Sequence, residues 1–200
     1  TNQPQLESTP FQPNGTKGRV RAQITKMLLD AMEQNRLEAV ICRAPEFYGP
    51  GKTQSITNAT IIDNLMAGKS AKVFLRDDTL RSLIFTPDAS RAMAVIGNTP
   101  DAYMQTWHLP CDDNRLTYRQ FVALAAEIFG APVKYNVMKE WLLWLASRAI
   151  SKVRETEELW PRYKVDNIFV SDKFKARFPD FKVTTYREGL TSIRDEHKHR

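Results

Sequence analysis

The stretch Glu38-Ala39-Val40-Ile41-Cys42-Arg43-Ala44-Pro45-Glu46-Phe47-Tyr48-Gly49-Pro50-Gly51 decides how this chain reads. Four of its first five residues are apolar, which predicts a strand buried on both faces, as in a parallel sheet covered by helices. Gly49-Pro50-Gly51 then stops the strand in a turn. Ligands of such sheets sit outside the carboxyl ends of the strands, so the polar residues at this exit, Arg43 and Glu46, are candidate site residues. A buried strand followed by an ordinary loop is the plainer alternative.

Working outward, strands and helices alternate, the pattern of an α/β fold. After a polar, Pro-containing lead, Val20, Ile24, Met27, Leu28, Ala31 and Met32 fall at helical spacing and predict an amphipathic helix over residues 17–35. A second helix is expected over 55–67 with Gly68 as its stop, then short strands at 72–74 and 83–85. Thr86-Pro87-Asp88 opens a helix, since Pro suits a first helical position. A strand at 105–109, a helix at 117–129 closed by Gly130 and a strand at 133–137 follow. Residues 139–153 carry a wide apolar face of Trp141, Leu142, Trp144, Leu145 and Ile150, read as core packing or a dimer contact in preference to a membrane-surface helix. A strand at 167–170, a helix capped by Ser171 and a last helix from Tyr186 complete the pass.

Composition excludes several classes. The longest apolar run, 141–150, is broken by Ser147 and Arg148, so no membrane span is expected, and no apolar signal core opens the sequence. Cys42 and Cys111 do not make a disulfide framework, which suits a reducing cytoplasm. The net charge of +6 invites a nucleic-acid reading, but the cations are scattered. In the densest basic stretch, 173–182, Phe174 and Phe178 stand at core spacing for a short helix with a solvated basic face. No nucleic-acid partner is therefore expected. His197 and His199, two residues apart in a charged tail, lack helical metal-ligand spacing, so no metal site is predicted. The eight glycines include no G-x-G-x-x-G, and the chain alone cannot build a dinucleotide site.

Arg43, Tyr48, Gly49 and Pro50 resemble the Arg-x-x-Asn-x-Tyr-Gly-Pro strand end of the extended short-chain dehydrogenases/reductases, the NAD-dependent epimerases and dehydratases. Further segments are similar in the same order. Thr9-Pro10-Phe11-Gln12-Pro13 matches the lead into the catalytic helix, and Arg81 to Ala92 the Arg-Asp-x-x-x-Val-x-Asp-x-x-x-Ala segment. Trp107-His108-Leu109, Ser171-Asp172-Lys173 and the helix from Tyr186 also fit. The resemblance implies the second half of a Rossmann-like, doubly wound parallel sheet plus a small mixed α/β substrate-binding part. Residues 1–50 would be the carboxyl-terminal part of an NAD(P)-binding domain and 51–200 the substrate-binding part, with elements returning to the sheet. It also implies NAD or NADP as cofactor, a small-molecule substrate, and an allowed homodimer through the helix carrying Met27, Leu28 and Met32 and the face from Ile61 to Met66.

Two departures bear on mechanism. In the only register for the family's Tyr-x-x-x-Lys, Lys17 stands at the Tyr position and Arg21 at the Lys position. Like charges at i and i+4 repel, which would favour a neutral Lys17 able to act as general acid/base. Arg21 can donate to ribose or phosphate but cannot relay a proton. A solvated pair at a helix start is the alternative. Glu46 replaces the family's Asn, and a carboxylate there would repel a diphosphate unless paired, with Arg43 the expected partner. The resemblance assigns Ala44 and Pro45 to the cofactor and Glu46, Tyr48 and Arg81 to the substrate. It leaves two readings, an NAD(P)-dependent epimerase/dehydratase or reductase of a hydroxyl/keto substrate and a non-catalytic NAD(P)-binding sensor or assembly protein.

Overall fold

The structure is a computed structural model that describes residues 3–198. His199 lies outside the described residues. The first helix, α1 (Thr16–Glu33), ends where Asn35 adopts a left-handed backbone at φ 54°, a conformation Asn tolerates. β1 (Val40–Arg43) and β2 (Glu46–Tyr48) follow. A π-helical turn (Asn58–Ile62) leads into α2 (Asp63–Met66), and Gly68 stops it at φ 69°. Then come β3 (Ala71–Phe74), β4 (Leu80–Arg81), β5 (Leu83–Phe85) and α3 (Thr86–Gly97). β6 (Gln105–His108) and β7 (Leu116–Thr117) precede α4 (Tyr118–Phe129). Its start is held by reciprocal Thr117 and Gln120 hydrogen bonds and its end by Gly130 at φ 67°. β8 (Tyr135–Met138), α5 (Glu140–Ala149), α6 (Ser151–Arg154), α7 (Trp160–Tyr163), α8 (Asp172–Arg177) and α9 (Tyr186–Lys198) complete the chain.

Three parallel pairs carry the architecture: β1 with β6, β2 with β5, and β3 with β8. β4 and β7 pair antiparallel. Each parallel pair is joined by a crossover containing helix, as parallel strands require. This is a mixed α/β fold of the Rossmann-like kind. Around β1 and β6, Ala89, Ala92 and Ile96 of α3 pack with Ile84, Trp107, Leu109 and Phe174. A second core joins Tyr48, Ile61, Ile62, Leu65, Val73, Phe121 and Leu190. β6, beyond residue 50, thus returns to pair with β1.

Several expectations need correction. β1 is half-buried rather than buried on both faces, and β6 is its one strand neighbour among the described residues. Residues 46–48 pair with β5 and form a strand instead of a loop. The apolar face of residues 139–153 is not packed in the core: Trp141, Leu142, Trp144, Leu145 and Ile150 are all exposed. α5 buries only its opposite side, through Leu143 and Ser147. Ser171 precedes α8, but its side chain makes no capping bond and its hydroxyl is buried with no partner. Met32, Ile61, Ile62 and Leu65, expected on a dimer face, are buried in this chain's own core, which leaves Met27 and Leu28 exposed.

Candidate functional site

The exit of β1, where β2 begins, is built by side chains that arrive from far along the sequence. Glu46 opens β2 and is buried. Its Oε1 accepts hydrogen bonds from Thr57 Oγ1 at 2.8 Å, Tyr118 Oη at 2.8 Å and Tyr163 Oη at 3.2 Å. Its Oε2 meets Arg81 Nη2 at 3.3 Å. Burial by itself would push the Glu46 carboxyl up. Attraction to Arg81 and Arg162 and the hydrogen bonds from Tyr118 and Thr57 outweigh that and hold it below the usual carboxylate range. The same anion, with burial as the larger cause, drives the Tyr118 and Tyr163 phenols far up, so both are donors.

Arg81 is 1% exposed. Its Nη1 donates to the Arg162 carbonyl at 2.7 Å, and the guanidinium carbon lies 4.8 Å from the Tyr163 ring centre and 5.5 Å from that of Tyr118, a cation–π enclosure. Its Nε has no hydrogen-bond partner. Glu46 and Arg81, assigned to one site by sequence, are therefore brought together. The expected Glu46 partner was Arg43, and the structure puts Arg81 there instead. Arg43 turns to the other side, where its Nη1 donates to the Glu7 carbonyl at 3.1 Å and its guanidinium covers the Phe11 ring.

The strand exit is clamped by Asn58. Its Nδ2 donates to the Gly49 carbonyl at 2.8 Å and its Oδ1 accepts from Gly49 N at 3.2 Å. The wider π-turn presents Thr57 to Glu46 and Asn58 to Gly49 side by side, a common use of π-bulges near functional sites. Gly49 is required here, since a Cβ would collide with Thr86 Oγ1. Tyr48 packs among Phe85, Phe121 and Tyr186 with its hydroxyl buried and unpartnered. A cavity of about 270 Å³ opens beside Gly49, between Asn58, Asp63, Met66, Ile193 and Glu196, and neither Glu46, Tyr48 nor Arg81 lines it.

The remaining candidates have other partners. Lys17 and Arg21 are exposed on the first turns of α1. Lys17 Nζ meets Glu155 Oε2 at 2.8 Å, and Lys17 N donates to Glu158 Oε2 at 3.1 Å. Lys17 thus faces a carboxylate, which offsets repulsion from Arg21. Ala44 is half-buried against the β1 core and Pro45 is buried. Sequence reasoning missed Thr57, Tyr118 and Tyr163. No spacing announces them, since they meet Glu46 from 11, 72 and 117 residues away. It also missed the role of His108, which ends β6. Its Nδ1 lies 2.7 Å from the Val170 carbonyl and its ring stacks on Phe169.

Parallel strands, crossover helices and a polar cluster where β1 gives way to β2 define a Rossmann-like α/β protein. The profile of the NAD dependent epimerase/dehydratase family matches residues 1–107, more than half of the chain, and the protein belongs to that family. No curated protein matches its sequence significantly. Among solved structures it is similar to the dTDP-glucose 4,6-dehydratase of Bacillus anthracis in complex with NAD, at TM-score 0.72 and 15% identity over 99% of this chain. It is also similar to the UDP-glucose 4-epimerase of Thermus thermophilus in complex with NAD, at TM-score 0.73, 13% identity and 98% coverage. The UDP-glucuronic acid 4-epimerase of Bacillus cereus, in complex with UDP-glucuronic acid and NAD, aligns at TM-score 0.74 and 15% identity over 100% of the chain. The chain spans 57%, 58% and 57% of these three structures.

Proposed function

We propose that this chain is the substrate-side portion of an NAD(P)-dependent epimerase/dehydratase or reductase acting on a small hydroxyl/keto substrate, with the catalytic Tyr replaced. The observation that carries this reading is the family match over residues 1–107, which spans every candidate from Lys17 to Arg81. The residues present fit a dinucleotide in part. The exit of β1, with Ala44 and Pro45, supplies one wall, whereas no glycine-rich loop is present for the pyrophosphate. When bound, the cofactor supplies hydride acceptance and return. In this reading Ala44 and Pro45 position it, Arg21 donates to its ribose or phosphate, and Lys17 exchanges the substrate proton.

The enclosure of Arg81 supports a small substrate over a nucleotide sugar. Its guanidinium is already matched by the Glu46 carboxylate, so a diphosphate gains little there and meets a buried negative charge. Glu46 and Tyr48, both buried, then support the substrate site from beneath. The test is oxidation of NAD(P)H against a panel of carbonyl compounds. Turnover lost in Lys17→Ala with nucleotide binding intact supports the assignment, and turnover unaffected by that change removes Lys17 from it.

The second reading is a non-catalytic NAD(P)-binding sensor or assembly protein. It is favoured by the ion pair of Lys17 with Glu155 and by the closed Glu46–Arg81 network, both of which occupy groups that catalysis would need. Nucleotide binding without oxidation of NAD(P)H by any carbonyl in the panel would select it.

A further inference from the structure

α5 buries Leu143 and Ser147 and turns the opposite side outward. At 100° per residue, Trp141, Leu142, Trp144, Leu145 and Arg148 share one exposed arc, and Trp141 is 61% exposed. Arg148 holds its guanidinium 4.7 Å from the centre of the Trp144 ring, so the one cation on the arc lies along the apolar surface. The helix and its immediate flanks are mainly basic: residues 131–154 contain five Lys or Arg and a single acid, and of the acids that follow, Glu155 and Glu158 bond Lys17 at the start of α1. The single acid, Glu140, is paired with Lys164 at 2.8 Å. Lys134, Lys139 and Arg154, beside the arc in sequence, are exposed.

From this geometry we infer that α5 is an interfacial helix that docks on an anionic phospholipid surface. Paired Trp side chains suit the boundary between headgroups and acyl chains, where an apolar ring and a polar N–H are both satisfied. Lys and Arg around a Trp/Leu face add attraction to anionic lipid. A second copy of the chain would set Arg148 and the flanking Lys134, Lys139 and Arg154 against their own equivalents, whereas anionic headgroups complement them, so charge favours the lipid. The inference goes beyond the enzymatic reading and does not depend on it.

The test is co-sedimentation of the purified chain with vesicles of equimolar phosphatidylglycerol and phosphatidylcholine, and of phosphatidylcholine alone, at low and high salt. The expected result is binding to the anionic vesicles that weakens with salt, with a blue shift of the Trp emission. Trp141→Ser/Trp144→Ser abolishes it, and Arg148→Gln lowers partitioning roughly fivefold. Both sites are exposed, and circular dichroism verifies that the variants fold. Absence of binding to anionic vesicles at low salt overturns the inference, as does binding that the double variant leaves unchanged. A concentration-dependent dimer lost in the same double variant reassigns the face to a second copy.

Discussion

At the scale of single residues, the strongest commitment in the molecule is the buried charge pair of Glu46 and Arg81. A buried ion pair adds little when it is intact, but removing one partner strands the other charge in a medium that cannot solvate it. Glu46→Ala leaves Arg81 with carbonyl partners alone and Tyr118 and Tyr163 without an acceptor. Urea denaturation of that variant is expected to show a loss of about 3–5 kcal/mol. The carboxyl is held below its ordinary value in the fold, so its contribution is full above the unfolded value near 4.5 and is lost as pH falls through the folded value. Glu46→Gln removes that part of the acid dependence. A denaturation midpoint that falls just as steeply below pH 4.5 in Glu46→Gln would remove Glu46 from the account. Of this cluster, sequence showed Glu46 and Arg81 as candidates and misassigned the partner. Arg43 was nearer along the chain, but a strand sends neighbouring side chains to opposite faces, and the parallel pairing of β2 with β5 sets Arg81 beyond the end of its ladder.

At the scale of elements, helix boundaries were legible wherever a local device sets them. Pro87 opens α3, Thr117 caps α4, and Gly68 and Gly130 take the left-handed conformation that ends a helix. What was not legible is how elements press together. α9 reaches the core by laying Gly189 on Tyr48, where a Cβ would stand 2.5 Å from Tyr48 Oη and 3.0 Å from its ring. Tyr48 is 1% exposed and cannot step aside. Gly189→Ala is therefore expected to cost about 1–3 kcal/mol, the usual range for overpacking. Tyr48→Phe, which also removes an unpartnered hydroxyl, should recover part of that loss in the double variant. A Gly189→Ala protein as stable as the parent would disprove the close contact. The join between β6 and the segment before α8 has its own pH signature. Burial pushes the His108 imidazole down, and the nearby Arg43 and Lys173 add to this, against the opposing pull of the Val170 carbonyl and Glu7. Neutral His108 thus contributes stability that is full above the unfolded value of 6.5 and lost as pH falls below it. His108→Gln should flatten the stability profile just below that value, and an unchanged slope would count against it.

At the scale of the whole molecule, the apolar stripe of α1 remains unexplained by the chain's own packing. Val20, Ile24, Met27 and Leu28 recur at i, i+4, i+7 and i+8, a periodicity that usually marks a core face. Here all four are exposed, Met27 at 69%, and of the whole helix only Met32 is buried. The sequence told correctly that α1 has an apolar face, but periodicity cannot distinguish a face covered within the chain from one covered by another copy. The partner surface expected around Ile61 to Met66 is spent on the internal core, so the α1 stripe is what remains of that expected surface to pair two copies. This stripe is joined by both signs of charge, with Asp30 and Arg36 beside Met27 and Leu28 around one surface hollow. Opposite charges at the rim permit a two-fold pairing that a uniformly basic rim would resist. Sedimentation equilibrium should therefore give a mass near twice the 23.0 kDa of the chain. Ile24→Glu/Met27→Glu should return it to one copy without loss of helical signal, because neither residue supports the core. A monomer at high concentration would leave the stripe to be covered by another polypeptide, and a dimer indifferent to these two changes would move the contact elsewhere.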